Sequence, residues 1–202
     1  MCPAVKICGL TRPEDLVALN SAMPEYAGFV FAPSRLQIDE RTAASFKERL
    51  NPQIKVVGVF VNEKVDVIAK LHCRGIIDLA QLHGDEDGGY ITLLKKLCGC
   101  TVIKSIGVGN GLPSLPHEPD FLLFDTLSQQ RGATGQTFDW TVLENVCDRP
   151  YFLAGGLTPN NVSDAIALLS PFCVDVSSGV ETNGYKDISK IHEFVRLAKT
   201  CP

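Results

Sequence analysis

Short apolar runs recur along the whole chain, with starts roughly 20 to 30 residues apart, the length of one strand, loop and helix. They are Val5-Lys6-Ile7-Cys8, Gly28-Phe29-Val30-Phe31, Val56-Val57-Gly58-Val59-Phe60, Leu79-Ala80-Gln81-Leu82-His83, Val102-Ile103-Lys104-Ser105, Phe121-Leu122-Leu123-Phe124-Asp125, Phe152-Leu153-Ala154-Gly155 and Val174-Asp175-Val176-Ser177. Most of the intervals show apolar residues at helical spacing. Helices are predicted over Pro13 to Met23, opening near Thr11, and over Asp39 to Leu50, with Ala43, Phe46 and Leu50 on one stripe. Others are predicted over Glu63 to Leu71 with Asn62 as the cap, from Pro159 through Leu169, and from about Asp187 to Lys199. Gly107 to Pro119 is rich in Gly and Pro, so the helix after strand five is expected to be short or absent. Eight strand units with seven helices predict an α/β fold, a single (β/α)8 TIM barrel over residues 1–202, in preference to a doubly wound open sheet.

The polar residues inside these runs sharpen the picture. A strand buried on both faces is apolar almost throughout, and several of these are not. Side chains alternate, so Lys6 and Cys8 share one face while Val5 and Ile7 take the other. Gln81 and His83 oppose Leu82, Asp125 opposes Phe124, and Asp175 and Ser177 oppose Val174 and Val176. In a barrel the apolar set faces the helices and the mixed set faces the interior. Each polar residue taken singly reads equally well as a satisfied interior group. Together, gathered toward strand C-terminal ends, they predict a shared polar site.

Composition narrows the partners. Of 202 residues 45% are hydrophobic, enough for one real core, and the net charge of −4 argues against a nucleic-acid or membrane-surface partner. No apolar run approaches the roughly 18 residues that span a bilayer, and no signal-peptide pattern opens the chain. The eight cysteines form no CxxC pair, and Cys98-Gly-Cys100 stands without a matched second half, so no metal is expected. They read as reduced thiols of a cytoplasmic protein, most of them packing residues.

Glycine-bearing turns add a ligand. Leu153-Ala154-Gly155-Gly156-Leu157 follows the seventh strand and Ser177-Ser178-Gly179-Val180 the eighth. Barrels of this type commonly hold phosphate in those two loops, on backbone N–H groups that glycine lets approach closely. A small phosphorylated molecule is therefore the expected partner.

Taken in order, these segments resemble the phosphoribosylanthranilate isomerase family. The resemblance rests on Lys6-Ile7-Cys8-Gly9-Leu10-Thr11, Gly28-Phe29-Val30-Phe31, Val57 to Asn62, Gln81-Leu82-His83-Gly84 and Phe124-Asp125-Thr126. It continues through Gly135 to Trp140, Leu153 to Leu157, Asp175 to Glu181, and Gly184-Tyr185-Lys186-Asp187. It implies an aldose-ketose isomerase of tryptophan biosynthesis without cofactor, monomeric or homodimeric. The reaction is an Amadori rearrangement, in which an acid opens the sugar ring and a base removes the C2 proton. By the same resemblance Cys8 matches the general base, Asp125 the general acid, and Arg35 the residue that binds the anthranilate carboxylate. Gln81 and His83 join the substrate site, and Gly155, Gly156, Ser178 and Gly179 hold the phosphate.

Two departures stand out. Ala32-Pro33-Ser34-Arg35 lacks the proline that the family often places directly before its arginine, and Gly132-Ala133-Thr134-Gly135 carries alanine where the family often has glycine. The rival readings are another sugar-phosphate isomerase or epimerase and a non-catalytic phosphate-binding barrel. An epimerase of this fold would bring metal-ligating His at several strand ends, whereas His83 is the only strand-end histidine.

Overall fold

The structure, a computed structural model, describes residues 2–109, 113–126, 139–143, 146 and 149–200. Eight parallel strands close in sequence order into a barrel: β1 Ala4–Cys8, β2 Tyr26–Val30, β3 Lys55–Phe60, β4 Leu79–Leu82, β5 Thr101–Val108, β6 Phe121–Thr126, β7 Tyr151–Leu153 and β8 Cys173–Val176. The seam closes where Lys6 of β1 lies level with Asp175 of β8. The (β/α)8 barrel anticipated from the spacing is the observed fold.

Around it run α1 Pro13–Ala22, α2 Glu40–Arg49, α3 Val65–Cys73, α4 Gly88–Cys98, α5 Val162–Leu169 and α6 Ile188–Lys199. Among the described residues no helix follows β5, as expected. In the sixth unit the described residues include a 3-10 turn, Trp140–Leu143. Beyond β8, Glu181–Thr182 and Tyr185–Lys186 form a small antiparallel hairpin, turned by Asn183 and Gly184 with φ of 53° and 80°.

Caps explain where the helices start. Asp39, Asp87 and Asp187 each accept a backbone N–H of the first turn, fixing α2, α4 and α6. Asp15 serves α1 from inside its first turn, accepting from the N–H groups of Thr11 and Arg12. Asn62 does not cap α3. It adopts φ 52° and exchanges hydrogen bonds with Asp85, so α3 opens after Lys64 instead. Likewise α5 starts three residues beyond Pro159, because Asn161 accepts from Thr158 N–H and donates to the Gly156 carbonyl, holding that stretch as a turn.

The apolar strand faces pack outward as the alternation requires. Val5, Ile7, Phe29, Leu82, Phe124 and Val174 meet Leu16, Phe46, Ile68, Leu94 and Phe194 of the helices. Each such burial contributes on the order of 2 kcal/mol. Inside, Tyr26, Val57, Leu79, Ile103, Leu123, Phe152 and Cys173 form a separate apolar plug. Lys6, Gln81 and Asp175 lie further along the same inward faces, so the barrel is filled below and polar above.

The lower rim carries a repeated device. Glu25, Asp78 and Asp120 each stand just before an even-numbered strand. Each accepts the N–H of the second residue of the preceding odd strand, Val5, Val56 or Val102, at 2.8, 2.6 and 2.8 Å. Each is also paired with a lysine of a helix, Lys199, Lys47 or Lys95. Val102 is fully buried, so its N–H has no water to turn to. Asp120→Ala is expected to cost about 1–3 kcal/mol in urea unfolding, whereas Lys95→Ala, which removes only a half-exposed ion pair, should cost under about 1 kcal/mol.

Candidate active site

A cavity of about 790 Å³ opens at the C-terminal ends of the strands. All nine residues singled out from the sequence line it: Cys8, Arg35, Gln81, His83, Asp125, Gly155, Gly156, Ser178 and Gly179. They come from six different strand ends or the loops behind them, which only barrel closure brings together.

Cys8 ends β1, and its thiol is accommodated by the absence of a side chain on β2. A Cβ at Gly28 would stand 2.7 Å from the sulfur. Two residues earlier Lys6, fully buried, pairs with Asp175 at 2.7 Å. Burial and, less strongly, the charge of Asp175 push the Cys8 thiol up, while Lys6, which also hydrogen-bonds it, and more weakly Lys186 pull it down. Its net position is above the ordinary thiol range. For Lys6 the charge of Asp175, with Cys8, outweighs the burial that would lower it and holds the ammonium above its usual range.

Asp125, near the end of β6, behaves oppositely to a paired carboxylate. Burial first, and the negative charge of Asp175 second, push it up to about 6, against the Thr126 N–H that it accepts at 2.8 Å and the pull of Lys6. Its Oδ2 lies 3.7 Å from His83 Nε2. Gln81 donates from Nε2 to His83 Nδ1 at 3.1 Å, which makes Nδ1 the acceptor and leaves the neutral ring's proton on Nε2, facing Asp125. Gln81 therefore acts through His83.

The glycine turns are tightly packed against neighbouring loops. Gly155 and Gly156 have φ of 86° and 67°, and a Cβ on Gly155 would stand 2.5 Å from Thr126 Oγ1. A Cβ on Gly179 would overlap the Leu157 carbonyl oxygen, 1.9 Å away, so the loops after β7 and β8 touch backbone to backbone. Among the described residues the Gly155 and Gly156 N–H groups donate to no protein acceptor, an arrangement suited to an anion.

Arg35 reaches the cavity despite its altered approach, and its guanidinium is engaged. It donates to Glu181 Oε2 at 2.6 Å and to the Gly184 carbonyl at 3.0 Å. Glu181 Oε1 accepts from Lys186 at 2.8 Å, and Lys186 donates onward to the Ser177 carbonyl. Ser177 Oγ in turn donates to the Cys8 carbonyl at 3.1 Å. Residue-by-residue reading assigned no role to Asp175, Glu181 or Lys186. Asp175 was visible as an inward polar position, but the other two belong to a hairpin that no strand pattern signals. Ala133 lies outside the described residues.

Comparison with known proteins agrees with this geometry. The family model of N-(5'-phosphoribosyl)anthranilate (PRA) isomerase matches residues 5–197. The N-(5'-phosphoribosyl)anthranilate isomerase of Endomicrobium trichonymphae is 47% identical over 199 residues, covering 98% of this chain and 99% of its own. The phosphoribosyl anthranilate isomerase of Thermotoga maritima superposes with a TM-score of 0.85 at 35% identity, over 98% of both chains. A further such isomerase, solved in complex with reduced 1-(o-carboxyphenylamino)-1-deoxyribulose 5-phosphate, gives 0.83 at 34% identity, again over 98% of both. On family model, relatives and fold alike, the chain belongs to the N-(5'-phosphoribosyl)anthranilate isomerase family.

Proposed function

We propose that the chain converts N-(5-phosphoribosyl)anthranilate to the enol form of 1-(2-carboxyphenylamino)-1-deoxyribulose 5-phosphate, with Asp125 as general acid and Cys8 as general base. The observation that carries this is the convergence of both groups on one cavity, with a carboxyl raised to about 6 at β6 and a lysine-flanked thiol at β1. At pH 7 a carboxyl of that pKa is protonated roughly one tenth of the time, enough to donate to the ring oxygen. Ring opening places the positive charge on an iminium nitrogen and acidifies the C2 proton. The Cys8 thiolate takes that proton, and the electron pair moves to the iminium. The substrate is isomerised with no external redox partner, and one proton has moved from Asp125 to Cys8.

The rest of the cavity supports binding. The Gly155-Gly156 turn and Ser178-Gly179 hold the phosphate on backbone N–H groups, His83 keeps Asp125 oriented, and Arg35 receives the anthranilate carboxylate on its planar fork. Arg35 must then exchange Glu181 for substrate.

Loss of substrate fluorescence follows turnover directly. Wild type is expected to turn over, and Cys8→Ser and Asp125→Asn to lose about 10²–10⁴-fold in kcat, while Cys8→Ala keeps its affinity for ribose 5-phosphate. A folded wild type that binds phosphate without turnover would favour a binding barrel instead. Arg35→Ala should raise KM while leaving ribose 5-phosphate affinity unchanged, and an equal loss for both ligands would move Arg35 to the phosphate end.

The pH profile has an assignable shape. The acting state is protonated Asp125 with Cys8 thiolate, whose population is flat between the two pKa values. kcat/KM should therefore fall below about pH 6, where Asp125 is already protonated and thiolate keeps declining, and again above the raised thiol value.

Stability gives an independent reading of the same carboxyl. Its folded pKa lies above its unfolded value of 3.8, so the native state binds more protons between the two. The contribution of Asp125 is fully present below about pH 4 and is lost as pH rises through 6. Asp125→Asn is expected to be more stable than wild type at pH 7 by on the order of 2–3 kcal/mol, and the difference should vanish near pH 4 in denaturant titrations.

A further inference from the structure

At the opposite end of the barrel three soft side chains converge. Cys98 is the last residue of α4, and Gly99, at φ 65°, turns the chain back so that Cys100 enters β5 beside it. His72 lies in the last turn of α3. One ring nitrogen and the two sulfurs all lie within 4.8 Å of one another. Tetrahedral zinc, with Zn–S of about 2.3 Å and Zn–N of about 2.0 Å, requires ligand atoms roughly 3.5–3.8 Å apart, a change within reach of small side-chain rotations.

A second observation concerns the same imidazole. His72 Nδ1 is shielded from solvent and has no hydrogen-bond partner, a condition that costs free energy unless something binds there. As donors the thiols make long contacts, Cys98 to the Leu94 carbonyl at 3.4 Å and Cys100 to the Thr101 carbonyl at 3.5 Å, and Cys100 also meets the Ala80 backbone and Cys98. Among the described residues this is the one group with metal-holding geometry.

We propose that His72, Cys98 and Cys100 form a zinc site with two thiolates, one neutral imidazole and a fourth position left to water. Two thiolates with an imidazole select zinc over calcium or magnesium, which take oxygen donors. Cys98 and His72 are only half-buried while Cys100 is buried, so the fourth position lies on the solvent side. Binding releases the two thiol protons, and the two thiolates neutralise zinc(II), so the site carries no net charge. The ion clips α3, α4 and the start of β5 together. It stands at the end of the barrel remote from Cys8, so its effect is on stability and not on turnover. This departs from the metal-free expectation, which rested on the absence of a CxxC pair and of a matched second half for Cys98-Gly-Cys100.

The test uses the full chain, stripped with chelator and kept reduced with a phosphine. Cobalt(II) titration should produce, at one equivalent, a thiolate-to-cobalt charge-transfer band and intense tetrahedral visible bands, both removed by zinc. Cys98→Ser and His72→Ala should each weaken cobalt binding about a hundredfold, whereas Cys8→Ser and Cys73→Ser should leave it unchanged. Zinc at a hundredfold excess over Kd should raise the thermal midpoint by roughly 5–10 °C. Should Cys98→Ser fail to fold, His72→Ala decides the matter by itself. A weak octahedral spectrum, a band that survives Cys98→Ser or His72→Ala, or one lost in Cys8→Ser would overturn the proposal.

Discussion

The pair between Lys6 and Asp175 governs both the closure of the barrel and the chemistry at its mouth. It joins the first strand to the last at a level where the interior changes from apolar to polar, with Lys6 entirely removed from water. Such a pair adds little net stability, because desolvation consumes most of the attraction, yet losing one partner typically costs about 3–5 kcal/mol. Its two charges act in opposite directions on both neighbours. Lys6 pulls the Cys8 thiol and the Asp125 carboxyl down, and Asp175 pushes both up. On Cys8 the pull of Lys6 is the larger of the two, and on Asp125 the push of Asp175 is the larger. The larger effect at each group favours the pairing of thiolate with carboxylic acid.

A second network reaches the thiol from outside the barrel. Glu181 is shared between Arg35 and Lys186, and Lys186 continues through Ser177 to the backbone of Cys8. On the proposed reading of Arg35, a substrate carboxylate takes one oxygen's worth of partners from Glu181 and leaves the other oxygen on Lys186. The surroundings of Cys8 then survive substrate entry. This arrangement also explains how Arg35 reaches the cavity without the usual proline before it. The guanidinium is held by the hairpin after β8 as well as by the shape of its own loop.

Legibility in the sequence followed physical range. The alternation of Lys6 and Cys8 against Val5 and Ile7 is local, and it placed the inward face correctly. That Cys8, Asp125 and the glycine turns would face one cavity was legible because strand ends of a parallel barrel all point one way. Boundaries were less legible where a side chain serves a distant loop: Asn62 is engaged by Asp85, and Asn161 holds the turn before α5. The hairpin of Glu181 and Lys186 is two residues per strand, too short for any period to register. His72 and the Cys-Gly-Cys are adjacent only because α3 packs beside α4, a contact that no spacing rule for metal ligands contains.

The two ends of the barrel answer to different demands, and the apolar plug lets them do so independently. Below it, Glu25, Asp78 and Asp120 each satisfy a strand N–H and a lysine together. Above it, Asp175 Oδ1 and Gln81 Oε1 are buried without partners, and Asp125 is held away from its ordinary pKa. Those are costs, and they fall where a polar ligand would supply the missing contacts. Phe152, packed on Tyr26 at 5.5 Å between centroids, helps seal the level between the two regions. Water admitted through that layer would solvate Lys6 and Asp175, weaken their hold on Cys8 and Asp125, and return both groups toward ordinary values. The plug is thus a condition of the site's electrostatics as much as of the fold's stability.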